Sequence, residues 1–167
     1  MSFSYKPVKY VILKCNNKKS TYLFMPQKKH IRVVCAIIMN GDKVLIARRG
    51  PDQSHAGSWE FPGGKINPDE KPVEALVREL REELAVTVSI QYALSPVSHV
   101  YESLSVELIP YVCIIEEGAI TPVDHDEIRW IDRTKVMEVP LLPPDRVIGE
   151  EFLQKNSGYS NENPLEK

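Results

Sequence analysis

The chain predicts an α/β (α+β) fold, and three observations carry that prediction. Five stretches rich in β-branched and apolar residues are separated by Gly, Pro and Asn/Asp punctuation. One central segment places apolar residues at three- and four-residue spacing, which is the pattern of an amphipathic helix. A second helical segment follows the last strand. With 167 residues and 43% hydrophobic content, the chain suits one domain with a sizeable core.

The elements follow in order. "IRVVCAIIMN" (31–40) and "VLIARR" (44–49) flank "GDK", which turns the chain at Gly41, so they predict a β-hairpin buried on at least one side. Residues 50–70, "GPDQSHAGSWEFPGGKINPDE", hold four glycines and three prolines and predict a long loop, a place where function concentrates. A helix is predicted over Pro72–Leu84, with Pro72 in its first turn and Val73, Leu76, Val77, Leu80 and Leu84 on one face; Lys71 is a poor N-cap. "VTVSIQYAL" and "SVELIPYVCII" read as strands, with Pro110 implying a bulge or an edge in the second. "HDEIRWID" is a further strand, and Pro144–Gln154 predicts a terminal helix before a polar tail, 156–167.

Charge is unevenly spread. Residues 1–30 hold seven lysines and no acid, leaving fourteen Lys/Arg against twenty-three Asp/Glu, a net of −9, for the other 137. A basic arm for nucleic acid or anionic lipid is one reading of this extension. The lysines are interleaved with "YVILK" and "TYLFM", however, which favours two strands with an exposed face. A mitochondrial leader would be Arg-rich, and no Arg precedes Arg32. No apolar run reaches the roughly 18 residues of a membrane span and no secretory pattern opens the chain, so the expectation is a cytoplasmic protein without membrane or stable nucleic-acid partners. Cys15, Cys35 and Cys113 are too scattered for a disulfide framework or a metal knot, and the last two sit in apolar runs as core thiols. His30, His55, His99 and His125 show no ligand spacing; His55 is a candidate phosphate contact and the others are read as surface or strand-end residues.

The chemistry concentrates in the helix. On a wheel of about 100° per residue, Glu79, Glu82 and Glu83 fall on one strip beside the apolar face. Glu79 repels its neighbours at i+3 and i+4, and all three lie toward the end where the helix dipole disfavours anions. The bland alternative is an ordinary solvated face. Against it, Arg81 points away, and Arg78, which can pair with Glu74 one turn back, does not balance three carboxylates. Hard oxygen ligands of this kind suit Mg²⁺ or Mn²⁺. The preceding "EFPGGK" adds backbone that can approach a ligand closely and Lys65 for a phosphate oxygen, so the combination predicts metal-bridged polyphosphate binding.

These residues spell Gly64, five residues, Glu70, seven residues, Arg78-Glu79-Leu80, one residue, Glu82-Glu83, one residue, Ala85-Val86. The pattern resembles the signature of the Nudix hydrolases, Gly-x5-Glu-x7-Arg-Glu-U-x-Glu-Glu-x-Gly-U with U aliphatic, and every charged position matches. Ala85 stands where the family has Gly, a position that favours a left-handed cap and supplies no ligand. "SWEFPGGK", "HDEIRW" and "PLLPPD" extend the likeness over residues 31–155, toward the MutT branch that hydrolyses nucleoside triphosphates, oxidised ones included.

The resemblance implies a mixed sheet sandwiched between helices and a loop-helix-loop that holds Mg²⁺, with Mn²⁺ as a substitute. Glu79, Glu82, Glu83 and the carbonyl of Gly63 match the family's ligands. Asp124, six before Trp130, matches an additional acidic ligand, with Glu127 competing. Glu79 would take a proton from attacking water, and Arg78 and Glu70 would orient the cluster. Attack at the β-phosphorus would give a nucleoside monophosphate and pyrophosphate. Arg49, Phe61, Lys65, Tyr101 and Asp145 fall at positions resembling the nucleotide pocket. Tyr101 would stack on a base or serve as a half-buried strand aromatic. Asp145 stands where the branch that removes oxidised guanine nucleotide carries Asn; an ionised Asp only accepts, which favours base edges presenting N–H groups, cytosine or guanine. The alternatives are hydrolysis of another nucleoside diphosphate derivative and a non-catalytic nucleotide-binding module.

Overall fold

The computed structural model describes residues 10–13, 21–24, 28–123 and 125–156; Cys15, Asp124 and the tail after 156 lie outside them. The described part of the lysine-rich extension contributes two strands, as its interleaved pattern predicts, β1 (Tyr10–Leu13) and β2 (Thr21–Phe24), and they pair antiparallel. The remaining strands are β3 (Lys29–Asn40), β4 (Lys43–Arg49), β5 (Trp59–Glu60), β6 (Thr87–Ala93), β7 (Val97–Val100), β8 (Leu104–Glu117) and β9 (His125–Asp132). Among the described residues the helices are α1 (Pro72–Leu84) and α2 (Pro143–Asn156), with a 3₁₀ segment over Arg133–Glu138.

The seven-stranded sheet runs β5-β4-β3-β8-β6, with β7 also on β8 and β9 on β4. It is mixed. β3 and β4 form the predicted antiparallel hairpin, whereas β3 and β8 run parallel from Lys29↔Leu104 to Met39↔Ile114. Alternation along β3 distributes its side chains to two cores. Val34, Ala36 and Ile38 pack with Leu76, Leu80 and Leu84 of α1, while Cys35 and Ile37 pack with Ile148 and Phe152 of α2. A strand buried on both faces reads as a continuous apolar run, and Val34–Ile38 is one.

Four details differ from the sequence reading. Trp59–Glu60 forms a strand within the predicted loop, because Ala47 and Arg48 of β4 lie opposite it. β7 is a further short strand. Pro110 marks neither a bulge nor an edge: β8 is interior, and Pro110 sits where its antiparallel partner changes from β7 to β6, so its missing N–H interrupts no ladder. Val73 is 46% exposed, and Ala75 takes its place in the apolar face.

The signature loop is held by β3. β4 pairs with β3 only at the hairpin end, and farther along that edge β3 is bonded by residues 62–66. Val34 N donates to Gly64 O at 2.9 Å, Ala36 N to Pro62 O at 2.8 Å, and Ile66 N to Arg32 O at 3.0 Å. α1 follows directly, its first turn closed by Glu74, whose carboxylate accepts from Lys71 N at 3.2 Å.

Candidate active site

Two glycines set the site's geometry for different reasons. A Cβ on Gly63 would lie 2.1 Å from Val34 O, so only glycine lets the loop pass this close to β3. A Cβ on Gly64 would lie 2.3 Å from the Glu79 carboxyl carbon and displace that carboxylate, so glycine leaves it room. Pro62 O and Gly64 O are both turned to β3, which directs the Gly63 carbonyl between them away from that strand.

Arg78 organises the helix side. Its Nε and Nη2 donate to Glu70 at 2.8 and 2.9 Å, Nη2 also to Lys65 O at 3.0 Å, and Nη1 to Glu79 at 2.8 Å and Glu82 at 3.2 Å. The pairing expected with Glu74 does not form, because Glu74 closes the first turn. Hydrogen bonds from Arg78 and the Asn67 N–H hold the Glu70 carboxyl down at about 2.

Glu83 faces inward. Burial pushes its carboxyl up to about 7; nearby His125 and the Gly63 N–H oppose the shift, and Glu79 and Glu60 add to it. Its Oε2 is buried with no hydrogen-bond partner among the described residues. An orphaned buried carboxylate oxygen beside Glu79 is what a hard cation would satisfy, so the residues fit Mg²⁺ or Mn²⁺. Glu82 lies farther out, its side chain 61% exposed. Among the described residues no three acidic, His or Cys side chains close round one point. Glu127 is committed to Arg48, at 3.1 Å, and to Arg129.

Glu79, Glu83, Gly63, Gly64 and Lys65 line a cavity of about 800 Å³ together with Arg49, Phe61, Tyr101 and Asp145. The sequence-predicted substrate residues therefore share one space with three of the predicted ligands, Gly63, Glu79 and Glu83. Arg49 is not free in it: it donates to Glu60 at 2.5 Å and to Ser54 O at 2.6 Å. Asp145 is 3% exposed and accepts from Phe61 N at 2.9 Å; burial pushes its carboxyl up to about 7. The acceptor-only reading of Asp145 therefore holds only above that value.

Sequence reasoning missed two residues. His125, read as a surface or strand-end residue, has a side chain only 2% exposed, its Nε2 3.5 Å from Glu60 and its Nδ1 without a hydrogen-bond partner among the described residues. Burial disfavours its charge, but Glu60 and Glu83 outweigh burial and raise its pKa. Glu60 thus links Arg49 to His125. The signal in the sequence was its place beside Phe61 in the glycine loop.

A profile of the NUDIX domain family matches residues 28–155. The chain is 34% identical over 125 residues to a CTP pyrophosphohydrolase of Escherichia coli (strain K12), covering 75% of this chain and 93% of that protein. It is 42% identical over 77 residues to an 8-oxo-dGTP diphosphatase of Proteus vulgaris, covering 45% and 68%. Among solved structures, a MutT protein from Methanosarcina mazei Go1 matches with a TM-score of 0.71 at 28% identity, over 79% of this chain and 99% of that one. The E. coli ORF135 protein matches with a TM-score of 0.68 at 31% identity, over 80% and 96%. The signature on α1, the two-core sandwich and these matches agree, and the chain belongs to the Nudix hydrolase family.

Proposed function

We propose that this protein is a Mg²⁺-dependent nucleoside triphosphate pyrophosphohydrolase of the cytoplasm, releasing a nucleoside monophosphate and pyrophosphate. The observation that supports it is the shared cavity, in which the predicted nucleotide-binding residues face Glu79 and Glu83. The names of the relatives point to CTP and 8-oxo-dGTP as substrates to test first.

Glu79, Glu82, Glu83, the Gly63 carbonyl and Asp124 would hold the cation. Bound there, it supplies Lewis acidity and neutralises phosphate charge. Glu79 would accept the proton of the attacking water, because its carboxylate is placed by Arg78 on one side and the Gly64 backbone on the other. Glu70 keeps Arg78 extended beneath the cluster, so the pair acts by orientation. Lys65 would meet a phosphate oxygen, and Phe61, Tyr101 and Asp145 the nucleoside. Arg49, tied to Glu60 and Ser54, would present positive charge to the same cavity.

The test is turnover against canonical and oxidised triphosphates with Mg²⁺, with product identity recorded. Monophosphate and pyrophosphate, lost in Glu82→Gln, are the expected result. Orthophosphate release, or no turnover of any triphosphate, would remove the reading.

A further inference from the structure

The cavity lining includes an aromatic contact that the proposed phosphate chemistry does not use. His55, in the loop between β4 and β5, and Tyr101, just after β7, have ring centroids 5.2 Å apart, tilted by 40°. His99 meets Tyr101 edge-on at 4.5 Å. The backbone of Tyr101 is fixed as well, its N–H donating to Leu104 O at 2.8 Å and its carbonyl accepting from Lys28 Nζ at 2.8 Å.

The loop that carries His55 is built rather than slack. Arg49 N donates to Ser58 O and Gly57 N to Arg49 O, both at 3.0 Å, closing its base. The Arg49 side chain ties Ser54 to Glu60, and Ser58 N donates to His55 O at 3.1 Å. His55 itself has φ +58°, a left-handed conformation that residues with a Cβ rarely adopt. An exposed side chain is thus kept in an unfavourable backbone conformation and delivered to a ring on another element. Both rings line the cavity. Burial and then the field of Asp145 raise the Tyr101 phenol above its ordinary pKa.

We propose that His55 is a positioning residue that packs on Tyr101 and holds that ring as a wall of the base slot, governing affinity for the nucleobase and not the rate of phosphate cleavage. The inference rests on the nucleotide reading above. Its surroundings separate the two roles: His55 contacts Tyr101, whereas Glu79 contacts Arg78 and Gly64.

The test is calorimetric binding of CMP, GMP and inorganic pyrophosphate, with Mg²⁺, to the wild type, His55→Ala and His55→Phe, alongside KM and kcat for the triphosphates. Losing one aromatic contact should weaken monophosphate binding about threefold to tenfold, raise KM by the same factor and leave kcat unchanged. Pyrophosphate binding should stay within about twofold, and His55→Phe, which keeps a ring, should recover most of the loss. Equal loss for pyrophosphate would assign His55 to phosphate and overturn the proposal, as would a Phe variant no better than Ala, or no change at all. If the wild type binds CMP or GMP but cleaves no triphosphate, the hydrolytic reading fails while the binding ratio still decides the role of His55. If it binds neither, the proposal falls.

Discussion

Arg78 and Glu70 are joined by two parallel hydrogen bonds, Nε to Oε1 at 2.8 Å and Nη2 to Oε2 at 2.9 Å, and this fork fastens the signature loop to α1. Bidentate geometry fixes the guanidinium plane, and through it the Glu79 carboxylate that Nη1 meets.

Glu70→Gln should therefore lower kcat about tenfold to a hundredfold with little change in KM, because it disturbs orientation and removes no substrate contact. Its stability effect has a defined pH window. The Glu70 carboxyl is lowered from 4.5 to about 2, so its stabilisation is fully present above about 4.5 and is lost as pH falls toward 2. Urea melts of wild type and variant should differ at pH 6 and converge near pH 2.

Glu83 carries the opposite sign. Burial raises its carboxyl from 4.5 to about 7, so in the metal-free protein its contribution is complete below about 4.5 and is lost as pH rises through 7. Glu83→Gln stays neutral throughout and should make the metal-free protein more stable than wild type at pH 8, by at most about 3 kcal/mol. It should also abolish Mg²⁺-dependent stabilisation and turnover. Thermal melts with Mg²⁺ and with EDTA at pH 5.5 and 8 test both statements; Mg²⁺ protection retained in the variant would remove Glu83 from the ligand set.

The parts of this site that were legible in the sequence are those fixed by short-range pattern. α1 spans Pro72–Leu84 as its periodicity and Pro72 dictate, and β9 spans His125–Asp132 as read. Glu79 and Glu83, one helical turn apart, do reach one cavity, as 3.6-residue geometry dictates, whereas Glu82 on the same strip lies farther out. What was not legible depends on partners distant in sequence. β5 exists only because β4 is beside it, and Pro110 is tolerated only because two strands share one side of β8. Arg78 chose Glu70 over Glu74 because the loop returns along β3, and His125 is buried by a sheet that no local window contains.

Asp145 should make base preference depend on pH. Its carboxyl, pushed up to about 7 by burial, is a neutral donor below that value and an acceptor above it, while Oδ1 already accepts from Phe61 N. CTP offers an amino donor, so its kcat/KM relative to UTP, which has a carbonyl there, should rise about tenfold between pH 6 and 8. Asp145→Asn, which does not titrate, should show a flat ratio. A wild-type ratio equally flat would take Asp145 away from the base.

Ala85 tests the one departure from the signature. It caps α1 at φ 58°, ψ 32°, with its N–H donating to Arg81 O at 3.1 Å and Val86 N donating to Leu80 O at 3.4 Å. This is the left-handed cap that glycine adopts without a Cβ penalty. The next loop completes the helix end: Thr121 N donates to Leu84 O at 2.9 Å and Val123 N to Glu83 O at 3.0 Å, satisfying carbonyls the helix leaves open. Gly118 approaches so closely that a Cβ there would lie 2.4 Å from Ala85 O. The strain is thus local to the Ala85 backbone, and no ligand depends on its side chain. Ala85→Gly should raise stability by about 0.5–1 kcal/mol, the left-handed penalty less the added freedom of the unfolded chain, or about 2 °C in Tm, with kcat unchanged. Gly118→Ala, at φ +97° and against that carbonyl, should lower Tm by more than the first variant raises it. Should Ala85→Gly destabilise instead, the cap would owe its stability to Ala limiting the unfolded chain, and the family's glycine would be an advantage this loop has replaced.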